Sequence, residues 1–80
     1  MRIVLTNHAR IRASERWISF EEIIEAIQNP DEIQQQDDEI FCFKKIWNKN
    51  ILIVYAKDDN WDRVIITVLR TSKLKKYWIS

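Results

Sequence analysis

A chain of 80 residues with 46% apolar residues and a net charge of +1 can fill one hydrophobic core but not two, so residues 1–80 are expected to form a single domain. With no glycine and one cysteine it has neither a phosphate-cradling glycine loop nor an internal disulfide, and with His8 and Cys42 as its only nitrogen and sulfur ligands no zinc spacing arises; no metal and no cofactor are expected. The apolar run Ile51–Ala56 is six residues long, against about 20 for a membrane-spanning helix, and no secretory pattern opens the chain, which points to a cytoplasmic protein without membrane contact.

Arg2 to Leu5 reads as a short first strand or extended lead-in. Thr6 or Asn7 can cap a helix running to about Arg16, a stretch without Pro or Gly. Ala9, Ala13 and Trp17 fall at i, i+4 and i+8 and predict a narrow core stripe. Ser19 with Glu22 forms a capping box ahead of Phe20, Ile23, Ile24 and Ile27, whose spacing is that of an amphipathic helix. Asn29-Pro30 ends it, because proline disfavours helical geometry in the preceding residue.

Beyond Pro30 come β-prone runs at Glu32–Gln35, Ile40–Trp47, Ile51–Lys57 and Arg63–Thr71. Asn48-Lys49-Asn50 and Asp58-Asp59-Asn60 separate three of them, and Asn and Asp accept left-handed turn geometry where glycine is missing. Consecutive hairpins follow. The fold class is therefore α+β, with two N-terminal helices packed on a mainly antiparallel sheet of four to five strands. Ile51–Ala56 is apolar on both alternating sides, and two short helices cover only one face. Either the C-terminal tail with Tyr77 and Trp78 covers the other, or a partner protein or second copy does.

His8, Arg12 and Arg16 recur at i, i+4 and i+8 and form one row bordering the Ala9, Ala13, Trp17 stripe. Guanidiniums grip phosphate oxygens with paired donors and imidazole exchanges protons near neutral pH, so the row suits a phosphodiester. It equally fits a helix cap and a solvated face, and Glu15 stands beside it to pair with Arg12. The acids cluster at Asp31–Glu39 and the bases after Arg63. Arg70, Lys45 and Lys73 are the candidate phosphate or RNA contacts. Lys44 and Lys45 also read as ordinary strand-end charges, and Cys42, between two phenylalanines, reads as a small core hydrophobe. Trp47 between Lys45 and Lys49, and Tyr77-Trp78 after two lysines, have the make-up of base-stacking platforms, although core packing is the simpler role for Trp47.

The segment LTNHARIRASERWISFEEIIEAIQNPDEI, with His8, Ala9, Arg12, Arg16, Ile18, Ser19 and Asn29-Pro30, resembles the domain-of-unknown-function 4258 family, whose pattern runs His-Ala, Arg, Arg, a helix, then Asn-Pro before the strands. The later VIITVLRT resembles its terminal strand, with Thr67 at the corresponding position. The similarity covers nearly the whole chain. It implies a fold grouped with barnase-like and RelE-like ribonucleases, many of them toxins paired with an antitoxin. On that resemblance the expected function is a metal-independent, toxin-type endoribonuclease acting on RNA, with His8, Arg12, Arg16 and Thr67 as the catalytic set. The acidic turn, the near-neutral charge and the lack of a second acid–base residue depart from a basic toxin. The alternative is a non-catalytic RNA-binding or protein-binding module on the same fold.

Overall fold

The computed structural model describes residues 2–73; the roles expected of Tyr77, Trp78 and the lysines before them lie outside the described residues. In chain order the elements are β1 (Arg2–Leu5), α1 (Asn7–Glu15), α2 (Phe20–Gln28), β2 (Glu32–Gln35), β3 (Ile40–Trp47), β4 (Asn50–Asp59) and β5 (Asp62–Thr71). The five strands form one sheet in the order β1-β5-β4-β3-β2. β2 to β5 make the expected antiparallel meander, whereas β1 lies parallel to β5, with Leu5 opposite Ile65. The sheet is therefore mixed. α1 and α2 carry the chain from one edge of the sheet to the other, α1 over β5 and β1, α2 over β4 and β3, and the meander then returns to meet β1.

α1 starts at Thr6, whose hydroxyl accepts from the Ala9 amide at 3.1 Å and so satisfies one of the free donors of the first turn. Ala9 and Ala13 are buried; their small side chains let the helix lie close to the sheet. Trp17 does not continue their stripe. The helix stops at Glu15, Trp17 takes a left-handed φ of 57°, and the Ile18 amide donates to the Ala13 carbonyl at 2.9 Å while the Trp17 amide donates to that of Ser14 at 3.4 Å. This is a Schellman termination. It turns Ile18 into the core in place of the indole, which is 88% exposed.

α2 is closed by the expected capping box, each of Ser19 and Glu22 accepting from the other's amide at 3.1 Å. Ile23, Ala26 and Ile27 are buried, while Phe20, in the first turn, faces outward. These residues join Ala9, Ala13 and Ile18 against Phe43, Leu52, Val54, Ala56, Ile65 and Val68 in the main core.

Cys42, Ile51 and Ile53 form a second cluster, with Tyr55 and Leu69 packed against it. The three are closed to solvent; whether the tail with Tyr77 and Trp78 covers this face lies outside the described residues. Burial pushes the Cys42 thiol up, against the opposing pull of Lys44 and Tyr55, which suits a core residue and not a thiolate.

Strict alternation fails in β5. Tyr55 pairs with Thr67 but Ala56 with Ile65, so Ile66 is a bulge residue. Ile65 and Val68 then both belong to the main core, and Ile65 does not share the Thr67 side as alternation implies. Below the bulge Thr67 stays with Tyr55 on the far face, and Arg70, opposite Leu52, lies on the helix face.

Both long hairpins use two-residue loops with positive φ at each central residue, Asn48 (53°) and Lys49 (69°), Asn60 (48°) and Trp61 (68°). These are the angles that match the right-handed twist of the strands. Near the second loop Arg63 donates to both carboxylate oxygens of Asp58, at 2.9 and 3.2 Å, and its guanidinium lies 4.9 Å from the Phe43 ring centroid. The hydrogen bond from Arg63 holds the Asp58 carboxyl below the ordinary carboxylate range. A carboxyl depressed in the folded state stabilises fully above its unfolded pKa, and that contribution fades as pH falls through the folded value. Asp58 is too exposed for a large effect. Asp58→Asn should nevertheless lose less stability than the parent on going from about pH 5 to pH 3, read as melting temperature; parallel pH profiles would show that the pair contributes nothing.

Candidate nucleic-acid interface

Of the His8–Arg12–Arg16 row, His8 and Arg12 lie on α1 next to buried Ala9 and Ala13, while Arg16 follows its last turn, and each has a distinct surrounding. His8, in the first turn of α1, is exposed and has no hydrogen bond or ion pair among the described residues. Arg12 is half-buried and donates to Glu15 at 3.0 Å. Arg16, the C-cap residue, reaches across to the Val68 carbonyl at 2.7 Å. That bond closes a β5 carbonyl beyond the point where β1 ends, so Arg16 has a structural duty whatever else it does.

Thr67 is not part of this group. It lies opposite Tyr55 on the far side of the sheet, so the sheet separates it from both helices. Arg70 is on the helix side and forms a salt bridge with Glu22. Lys45, Leu52 and Arg70 occupy one cross-strand row, and the Lys45 ammonium donates to the Asn29 carbonyl at 2.7 Å, satisfying an acceptor at the end of α2. Lys73 is exposed; its amide donates to the Thr71 hydroxyl at 3.1 Å. The structure thus brings Arg12, Arg16 and Arg70 to one side of the sheet, with Lys45 across from Arg70, and leaves Thr67 apart.

Two features depart from the simpler expectation for their residues. Trp47, for which core packing is the simpler expectation, is 54% exposed. With Glu22, Asn48, Asn50, Leu52 and Arg70 it lines a cleft of about 200 Å³ between the start of α2 and the β3–β4 loop. Arg16 contacts Val68 and Glu22 contacts Arg70, so the intervening chain, with exposed Trp17, passes the same end of the sheet. Trp47 shares its cleft with Arg70, whereas Trp17, next to Arg16 in the chain, lines a separate hollow with Ala13, Ser14, Ile18 and Ser19; both indoles stand in water. The signal that could have found Trp47 is its place in the last pair before a two-residue loop, where little lies above a strand.

The second feature is Lys44, which is not a strand-end charge. It is 4% exposed, and its ammonium lies 3.1 Å from Glu32 and donates to the Gln34 side chain at 3.0 Å. It faces the Cys42–Ile53 side, between edge strand β2 and the core. A buried cation meeting a carboxylate on one edge strand specifies register. Among the described residues no group of three or more His, Cys, Asp or Glu side chains could hold a metal ion, and no helix is long and apolar enough to cross a membrane.

What these observations define is an α+β domain with two helices on one face of a five-stranded mixed sheet and a mixed cationic and aromatic surface where β5 ends. A family model described as Domain of unknown function (DUF4258) matches residues 5–70, and the chain belongs to that family. No curated protein and no solved structure matches it.

Proposed function

We propose that the protein is an RNA-binding module whose contact surface is the end of the sheet where β5 finishes, and not a self-contained endoribonuclease. The observation that carries this reading is the exposure of Trp17 and Trp47 beside Arg16 and Arg70. Indole faces stack on bases of any sequence and guanidiniums follow the phosphates, which is the combination that single-stranded nucleic acid requires. The near-neutral total charge limits non-specific attraction, so affinity has to come from this patch. Metal-independent cleavage of the toxin type is the second reading, favoured by one observation: His8 is exposed and unpaired one turn from Arg12. Attack by a 2′-hydroxyl needs a base and an acid, and Thr67, of the expected catalytic set, lies behind the sheet from the helix that carries His8.

Glu22 competes with RNA for Arg70, and this supplies the test. Glu22→Gln keeps a side chain that can close the capping box but removes the carboxylate. It should bind a fluorescent single-stranded oligouridylate several-fold tighter than the parent, whereas Arg70→Ala should bind more weakly and lower the salt slope by about 0.7. Salt slopes unchanged in both variants would overturn the binding reading. An RNA-cleavage assay with chelator present separates the two functions: cleavage by the parent that is lost in His8→Ala, with oligouridylate binding intact, would establish the enzyme.

A further inference from the structure

The cleft at the start of α2 holds hydrogen-bonding groups in a fixed order. Glu22 is pinned at both carboxylate oxygens: Oε1 accepts from the Ser19 amide at 3.1 Å, and Oε2 accepts from the Arg70 guanidinium. A carboxylate has about four acceptor positions, so each oxygen keeps one beyond the described bonds. The Glu22 and Arg70 side chains are 28% and 32% exposed, and both line the cleft together with Trp47 and Leu52. Leu52 is buried opposite Arg70 in the sheet and gives the cleft an apolar wall. Side by side, the cleft therefore presents a donor from Arg70, an acceptor at Oε2 and an acceptor at Oε1.

An unstacked base of single-stranded RNA offers its Watson–Crick edge to such a row. The middle position decides first. Guanine N1–H and uracil N3–H are donors and suit Oε2, whereas adenine N1 and cytosine N3 are acceptors and meet the carboxylate lone pair to lone pair in either orientation of the base. The outer positions separate the remaining two. Guanine places O6 toward Arg70 and its N2 amino group toward Oε1, a match at all three points, while uracil brings the acceptor O2 against Oε1. A polar group left facing a like group loses its water without gaining a bond, which costs more than a bond that is merely absent. Trp47, 54% exposed, offers a stacking face to any base.

We propose that this cleft takes one guanine of single-stranded RNA, stacked on Trp47, with N1–H and N2–H donating to the Glu22 carboxylate and O6 accepting from Arg70. The proposal rests on the RNA-binding reading and adds base identity to it. The capping box and the Arg70 ion pair hold the carboxylate in place before the base arrives, so the order of donor and acceptors is preformed.

The probes are labelled oligouridylates whose central base is uracil, guanine, hypoxanthine or adenine. The guanine strand should bind at least about tenfold tighter than the adenine strand, the scale of a bidentate base contact, and the hypoxanthine strand, which lacks the N2 amino group, should fall between them. Glu22→Gln should remove the preference for guanine over adenine while still binding the all-uracil strand, because an amide presents one donor where the carboxylate presents only acceptors. Trp47→Ala should weaken every strand by a similar factor and keep the preference, since stacking does not read the edge. GMP, with the base but a single phosphate, should displace the guanine strand only at far higher concentration than the unlabelled strand does. Equal binding of the guanine and adenine strands by a protein that binds the all-uracil strand would overturn the guanine reading and leave RNA binding standing, whereas no binding of the all-uracil strand would remove both. A guanine preference that survives in Glu22→Gln, or GMP as potent as the strand, would also overturn it.

Discussion

Lys44→Ala should lose about 3–5 kcal/mol of folding stability, the scale for breaking a buried ion pair by removing one partner. The ammonium lies at 3.1 Å from Glu32 and 3.0 Å from Gln34 and is nearly closed to water. Its removal leaves the Glu32 carboxylate facing an apolar cluster with neither cation nor full hydration. For a chain of this size the whole stability is on the order of 4–12 kcal/mol, so the variant should melt at least about 12 °C lower, at roughly 4–8 °C per kcal/mol. Lys44→Met is the informative partner, because it fills the same space without a charge. Paired with Glu32→Leu it should recover most of the loss, as buried pairs replaced by apolar residues commonly do. Thermal unfolding followed by circular dichroism measures both. A Lys44→Ala variant within 1 kcal/mol of the parent would show that water reaches the pair and that β2 is held by its backbone ladder alone.

Trp17→Gly should move stability and binding in opposite directions. The residue sits in the left-handed conformation that ends α1, which costs a side-chain-bearing residue about 1–2 kcal/mol and costs glycine little. Its indole, almost wholly in water, gives back little packing. Glycine there should raise the melting temperature by several degrees, although it also enlarges the entropy of the unfolded chain. If the indole stacks on a base, the same change should weaken single-stranded RNA binding by about 1–3 kcal/mol, roughly 5- to 150-fold. Trp17→Ala controls for the side chain: it should lose the same binding without the gain in stability. A glycine variant that is more stable and binds RNA as tightly as the parent would confine Trp17 to a role unrelated to stacking. The RNA surface would then rest on Trp47 and Arg70.

The features readable from the chain are those set by neighbours in sequence. Ser19 and Glu22 close α2 because a hydroxyl and a carboxylate three residues apart reach each other's amides in any context. Asn48 and Asn60 enter tight loops because their short polar side chains tolerate positive φ, and strands β3 to β5 follow from the apolar runs on either side of these loops. The row of His8, Arg12 and Arg16 likewise follows from helical periodicity. Tertiary structure decided the rest, wherever two distant segments compete for one position. Trp17 left the core because Ile18 fits under the Schellman turn. Arg16 was drawn to a carbonyl that β1 leaves open on a strand 52 residues away. The bulge at Ile66 altered which β5 side chains share a face, and Lys44 is buried because β2, at the far edge of the sheet, offers it a carboxylate. Periodicity states which residues share a side of their own element; it does not say which element lies opposite, and that pairing assigns a cation to a core, an edge or a ligand.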